Sequence, residues 1–361
     1  MAAAKVYKEK DANKNVLKKK TIAVIGYGAL GRANALNLKD GGFAVSVGLR
    51  KGSASAAAAK KDGFKVFSIA EVVKNSDVIL IAVPDMCQGE LFETQIAPNL
   101  EKNKTLVFAH GLSVHWGLVK PPEGVNVILV APKAPAGALR SQFLEGRGVP
   151  TFIGVHNGGR EARALALAWA DAIGSTRAAV VETTFREEAE TDLFGEQAVI
   201  GGGLTALVRA GFETLVKAGY RPEVAYFECC HELKSIADLI YQSGISGMRF
   251  SVSETARYGD ATRGSRVVGG SSRREMERIL REIQSGRFVK EWVGEYKSGM
   301  KKCKKLLAQD EKHPIEKVGQ RLRALMPWVA KQNLKGARSH YSSEMSGAGA
   351  GAEKSVRKLK K

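Results

Sequence analysis

The chain has 361 residues, 44% of them hydrophobic, enough for two domains with cores of their own and too apolar for a disordered protein. Its formal charge of +19 raises nucleic acid as a partner, but much of the excess sits in Lys18, Lys19 and Lys20 and beyond Pro327. No zinc-finger, RNP-like or recognition-helix pattern accompanies it, so no specific nucleic-acid partner is expected. No apolar run approaches a membrane span, the N-terminal segment lacks a secretory stretch and contains acids, and the four cysteines show no CxxC spacing; a cytoplasmic protein with reduced thiols and no membrane partner is the expectation.

The first strong element is TIAVIGYGALGRANALNLKDGG, an apolar run at 21–25 followed by Gly26, Gly28 and Gly31 and a helical stretch. Strand, glycine turn and helix in that order predict a dinucleotide fold. Gly26 permits the turn, Gly28 lets the backbone approach a diphosphate, and Gly31 allows close packing of helix on strand. A second strand at 43–49 ends in Arg50, Lys51, Gly52, Ser53, Ala54 and Ser55, where an NAD enzyme usually carries an Asp or Glu for the ribose 2′-hydroxyl. A guanidinium and two hydroxyls suit a 2′-phosphate, so NADPH is the expected cofactor.

Short apolar runs at 78–84, 105–110, 126–132 and 150–155 alternate with polar helical stretches and predict further strands of a largely parallel, doubly wound sheet. Ligands gather at the carboxyl ends of such strands, where His110 and Lys133 fall. From Glu182 onward the pattern is helical throughout. The expected organisation is a Rossmann-like domain over 1–183, an all-helical domain over 184–329 and a basic, flexible tail over 330–361.

The helical part carries two acid pairs at a spacing of four, Asp192 with Glu196 and Glu228 with Glu232. Residues four apart share one helix face. Their flanks, ETDLFGEQAVIGG and VAYFECCHELKSIADLIY, are apolar, which predicts buried carboxylates whose charge needs a counter-ion. Hard oxygen ligands without clustered His or Cys select magnesium or manganese, and several carboxylates can hold two ions. The competing reading is a pair of surface helices with solvated acids. Cys229 and Cys230, lying between Glu228 and Glu232, are expected to pack as small hydrophobes rather than react.

With these residues in hand, the chain resembles a ketol-acid reductoisomerase of the short bacterial type over residues 5–327. The segments that carry the likeness are KVYKEKDAN, the GYGxxG turn, GLRKGSAS, AHG, VAPK, VETTFREEAETDLFGEQAV, AYFECCHELKSIADLIYQSGISGMRFSVSETARYGD and HPIEKVGQRLRALMPW. The resemblance implies a knotted helical domain, NADPH and two magnesium ions per active site. It further implies conversion of 2-acetolactate or 2-aceto-2-hydroxybutyrate to a 2,3-dihydroxy acid in branched-chain amino-acid biosynthesis. It places Tyr27, Gly28, Ala29, Leu30, Arg50, Ser53, Ser55 and Gly137 at the cofactor and Asp192, Glu196, Glu228 and Glu232 on the metals. His110, Lys133 and Glu232 become catalytic residues, and Ser253 contacts the substrate. A homodimer, or a higher assembly of dimers, shares each site between two chains.

The departures from the family cluster in the cofactor half. The family's GYGSQGHA is replaced by a turn with Ala29, Leu30 and Arg32, and its APKGPGHTVR by one with Ala134, Ala136, Gly137 and Ala138. A hydroxyl and an amide are lost near the diphosphate, and Arg32 adds a charge in their place. Two alternatives stay open at this point: another NADPH-dependent hydroxy-acid dehydrogenase, and a non-catalytic nucleotide-binding protein.

Overall fold

A computed structural model describes residues 3–329; the basic segment 330–361, expected to be a flexible tail, lies outside the described residues. The chain divides into two compact units that part between Thr191 and Asp192.

The first unit is built on a nine-stranded sheet of β1 (Val6–Tyr7), β2 (Ile22–Ile25), β3 (Val45–Gly48), β4 (Lys65–Phe67), β5 (Val78–Ile81), β6 (Thr105–Phe108), β7 (Asn126–Pro132), β8 (Thr151–Asn157) and β9 (Val180–Glu182). Their order is β1-β9-β8-β7-β6-β5-β2-β3-β4. Alternate residues of each central strand feed opposite cores, as a pleated strand requires. Ile22, Val24, Val78, Leu80, Ile128 and Val130 join the core that includes Leu38 and Trp169. Ala23, Ile25, Ile79, Ile81, Leu129 and Phe108 join the other, with Val72, Phe92 and Phe185. Both sheet faces are therefore covered, and the unit is doubly wound.

β2 through β7 pair in parallel, but β8 runs antiparallel to β7. This differs from a simple βα repeat for a local reason. The Lys133 N–H donates to the Pro150 carbonyl at 2.8 Å, so the chain re-enters the sheet at the end where it left. β1, β4 and β9, each two or three residues long, are too short to show a period of two in the sequence.

The second unit is helical among the described residues. Its core is small: Phe212, Ala225, Tyr226, Ile315, Val318 and Leu322, from the helices Gly202–Lys217, Pro222–Tyr226 and Pro314–Ala324. A Cβ on Gly319 would lie 2.5 Å from Tyr226 Cε2, so the Tyr226 ring packs directly on a helix backbone. Arg323 Nη1 donates to the Tyr226 hydroxyl at 2.9 Å. By contrast, the helical stretch Leu233–Ser251, broken at Gly244 where φ is +72°, has no buried residue, and Tyr241 and Phe250 are 91% and 74% exposed. The helical run Phe185–Lys217 is long and apolar enough, by length and composition, to cross a membrane, which corrects the expectation that no run came near that length. Asp192, Glu196, Arg209 and Glu213 interrupt it and would make a lipid setting costly.

Candidate active site

Strand order reverses between β2 and β5, which makes the crevice beyond their carboxyl ends the expected ligand position of the sheet. The glycine turn lies there. Gly26 has φ +94°, and a Cβ on it would sit 2.6 Å from the Ala82 carbonyl oxygen; one on Gly31 would sit 2.3 Å from the Gly26 oxygen. Gly28 is different, since nothing lies within 4 Å of its Cβ position. Gly28 caps the helix Ala29–Asp40, whose first turn carries no acid. Open space over free helix amides fits a diphosphate. Ala29 and Leu30 belong to that turn, Ala29 exposed and Leu30 half-buried.

The side chain of Tyr27 points inward. It is buried, its ring meets Phe64 edge to face, and its hydroxyl donates to Asp62 Oδ2 at 2.8 Å. Arg32 grips the same carboxylate through Nε at 2.7 Å and Nη2 at 3.1 Å. The guanidinium holds the Asp62 carboxyl down at about 2, while burial and then Asp62 raise the Tyr27 phenol. Arg32 is thus committed to Asp62, just past the helix Ser55–Lys61, and not to the diphosphate position the sequence suggested.

Beyond β3 the chain turns at Arg50 and Ser53, with the Ser53 N–H donating to the Arg50 carbonyl at 3.1 Å, and enters the helix at Ser55. Residues 50–55 contain no acid. Gly137 is exposed on the helix Ala136–Leu144, with nothing within 4 Å of its Cβ position. Sequence reasoning passed over Gln88, on the helix Asp85–Leu91 beside the glycine turn. Its Nε2 donates to the Val83 carbonyl at 2.9 Å, while its buried Oε1 has no partner among the described residues.

The most organised charged cluster centres on Glu188, which the sequence reading also missed. Its side chain is 1% exposed, and it lies on the helix Phe185–Phe194. Lys133 Nζ donates to its Oε1 at 2.6 Å, the Gly111 N–H to its Oε2 at 2.7 Å, and His110 Nδ1 lies 3.1 Å from Oε2. Burial raises the Glu188 pKa, but His110 and Lys133 lower it more, so the carboxylate is ionised below its ordinary range. An ionised carboxylate only accepts. His110 must therefore carry a proton on Nδ1. His110 and Lys133, expected at strand ends 23 residues apart by number (133 − 110), are brought together by this third residue.

Asp192 follows Glu188 by one turn on the same helix. Glu196 lies in the π-helical segment Gly195–Ile200, where the Gly201 N–H donates to the Glu196 carbonyl at 3.1 Å. Glu228 lies in a second π segment, Phe227–His231, closed by the Glu232 N–H on the Phe227 carbonyl at 3.0 Å. Both pairs thus stand where an α-helix widens, a feature concentrated at functional sites. Their expected burial is not observed: Asp192 is half-buried, and Glu196, Glu228 and Glu232 are exposed. The apolar flanks are themselves uncovered, Ile200 at 69% and Val199 at 51%. Glu196, Glu228 and Glu232 join no group of three or more close ligand atoms among the described residues. The donor set, four carboxylates and no thiolate, fits a hard divalent cation. Cys229 and Cys230 are half-buried free thiols whose pKa values burial pushes up, in keeping with packing. Ser253 caps the helix Glu254–Val267, accepting from the Ala256 N–H at 3.2 Å, which leaves its own proton to donate.

Comparison with known proteins places these features in one family. Residues 16–179 match the acetohydroxy acid isomeroreductase NADPH-binding domain, and residues 185–328 match the ketol-acid reductoisomerase C-terminal domain. The structure is similar to that of an NADH-preferring ketol-acid reductoisomerase from an uncultured archean, at 42% identity and a TM-score of 0.87, over 90% of this chain and 99% of that one. A semialdehyde dehydrogenase NAD-binding protein from Cupriavidus necator, solved with calcium and NAD, shares the fold alone, at 20% identity and a TM-score of 0.58 over 74% of this chain and 99% of that one. Matched in both its nucleotide-binding and its helical part, the chain belongs to the ketol-acid reductoisomerase family of oxidoreductase-isomerases in branched-chain amino-acid biosynthesis.

Proposed function

We propose that this enzyme takes 2-acetolactate or 2-aceto-2-hydroxybutyrate to the corresponding 2,3-dihydroxy-3-methyl acid, with NADPH as reductant and two magnesium ions per active site. The observation that carries the reading is the pairing, on one chain, of an open glycine turn with two sets of carboxylates on widened helices. Asp192, Glu196, Glu228 and Glu232 would hold the metal, and the turn at Gly28 with Tyr27, Ala29 and Leu30 the diphosphate. When bound, the cations supply charge stabilisation for the oxygens that become negative during alkyl migration, and the nicotinamide supplies hydride to the resulting ketone.

The protein's own groups divide the remaining work. Lys133, its ammonium fixed by Glu188, presents positive charge to a substrate oxygen. His110, with Nδ1–H directed at Glu188, takes part in proton transfer to and from the substrate. Glu232 exchanges a proton with the reacting oxygens, and the Ser253 hydroxyl donates to the substrate carboxylate. Gly137 and the Arg50, Ser53 and Ser55 loop bind the rest of the cofactor. The absence of acid from 50–55 and the NADPH-binding description of the matched domain favour NADPH. A second reading, NADH, is favoured by the preference of the 42%-identical archaeal enzyme.

The exposed acids and apolar helix faces of the second unit support a homodimer or a higher assembly of dimers, in which Asp192 and Glu196 of one chain meet Glu228, Glu232 and Ser253 of its partner. In this reading the protein is cytoplasmic, acts on small acetohydroxy acids, and has no specific nucleic-acid or membrane partner. NADPH oxidation with 2-acetolactate should require magnesium. Equal rates with the metal present and chelated would reject the proposed site.

A further inference from the structure

A second buried acid on the Glu188 helix has no part in the reaction outlined above. Glu190 is 7% exposed, and its Oε1 lies 3.3 Å from His115 Nε2 and 2.9 Å from Arg186 Nε. The Arg186 guanidinium is largely in solvent, one turn earlier on the same helix. His115 is different: it ends the one-turn helix Leu112–His115, and its ring packs edge to face on Trp116 with centroids 4.4 Å apart.

That one-turn helix is the piece of backbone that supplies the Gly111 N–H to Glu188. It is seated tightly. A Cβ on Gly111 would lie 2.3 Å from the Phe185 carbonyl oxygen and 3.2 Å from Ala189 Cβ, so the Gly111 backbone rests directly on the Glu188 helix. Its start is hydrogen-bonded to Glu188, and its end lies against the Glu190 carboxylate, 3.3 Å from the His115 ring nitrogen. A helix of four residues has little stability of its own and takes its position from such contacts.

From this geometry we infer that His115 and Glu190 form a positioning pair. By fixing the far end of the turn, they keep Gly111 and His110 in register with Glu188 and hold His110 in its Nδ1–H form. Neither residue touches substrate or cofactor in this account; both act through the Gly111–His115 turn. The inference rests on the proposed part of His110 and Glu188 in the reaction. Its first test is therefore independent of turnover.

The tautomer of His110 can be read from two-bond nitrogen–proton correlations of 15N-labelled full-length protein at neutral pH, with His110→Asn identifying the signal. The wild type should show the Nδ1–H form. His115→Phe and Glu190→Ala should mix the tautomers, and His115→Gln, whose amide can donate to Glu190, should retain the wild-type pattern. In turnover with 2-acetolactate, magnesium and NADPH, His115→Phe should lower kcat about tenfold, as small misplacements of reacting groups do, with NADPH affinity unchanged. His115→Gln should recover most of that loss. Wild-type tautomer signals in both His115→Phe and Glu190→Ala would overturn the inference whatever the activity. A tautomer change without loss of kcat would leave the positioning role intact and count against the proposed part of His110 in catalysis. If His115→Phe does not fold, the tautomer in Glu190→Ala decides the matter alone.

Discussion

Replacing Glu188 by Gln is nearly isosteric, yet it removes a buried negative charge shared by Lys133, His110 and the Gly111 amide. Breaking a buried ion pair from one side costs about 3–5 kcal/mol, because the other charge stays desolvated. Lys133 keeps some access to water, with 24% of its side chain exposed, so the cost falls near the low end, about 3 kcal/mol. For a unit of this size that corresponds to a fall in Tm of about 6–12 °C. The amide can donate as well as accept, so His110 is no longer confined to Nδ1–H, and kcat should fall on the order of a hundredfold, within the range of general acid–base effects. Calorimetry and steady-state kinetics on the same preparation, with NADPH titrated by fluorescence to confirm an intact nucleotide site, measure all three. The pH dependence adds a signed check. Glu188 titrates below its unperturbed 4.5 in the folded chain, so its contribution is complete above the ordinary carboxylate range and is lost as pH falls through the folded value. Acid unfolding of Glu188→Gln should accordingly be shallower than that of the wild type. A variant with wild-type Tm and kcat within twofold would refute the cluster's role.

Three other outcomes follow from the site. Asp192→Asn should abolish magnesium-dependent isomerisation while leaving NADPH binding nearly intact; retention of most activity would count against the carboxylates as metal ligands. Replacing Ser53 and Ser55 together with Asp should move the ratio of catalytic efficiencies toward NADH, because a carboxylate repels a 2′-phosphate, and an unchanged ratio would show that this loop does not read it. Co-refolding inactive Asp192→Asn with inactive Glu228→Gln should recover about a quarter of wild-type activity, since half the dimers are mixed and each carries one native site of two. No recovery in verified mixed dimers would place all four carboxylates on one chain.

The sheet was legible because its central strands alternate apolar runs with helical stretches, and the glycine turn because its three glycines each answer a distinct steric demand. Glu188 was not. In TTFREEAETD it is one acid among four, and only the fold distinguishes it, by bringing His110, Lys133 and a backbone amide to its carboxylate. Its spacing of four from Asp192 was the available signal. The acid pairs were misjudged in the opposite sense: apolar neighbours suggested burial, whereas in a single chain those neighbours are exposed as well. Arg32, read as a substitute contact for the cofactor, pairs with Asp62, a residue 30 positions away that no local pattern connects to it.

The carbon skeleton of the product tests the central claim most directly. Full-length protein supplied with 2-acetolactate, magnesium and NADPH should yield 2,3-dihydroxy-3-methylbutanoate, identified by NMR, with one NADPH consumed per molecule formed. Formation of 2,3-dihydroxy-2-methylbutanoate instead, the product of ketone reduction without methyl migration, would contradict it.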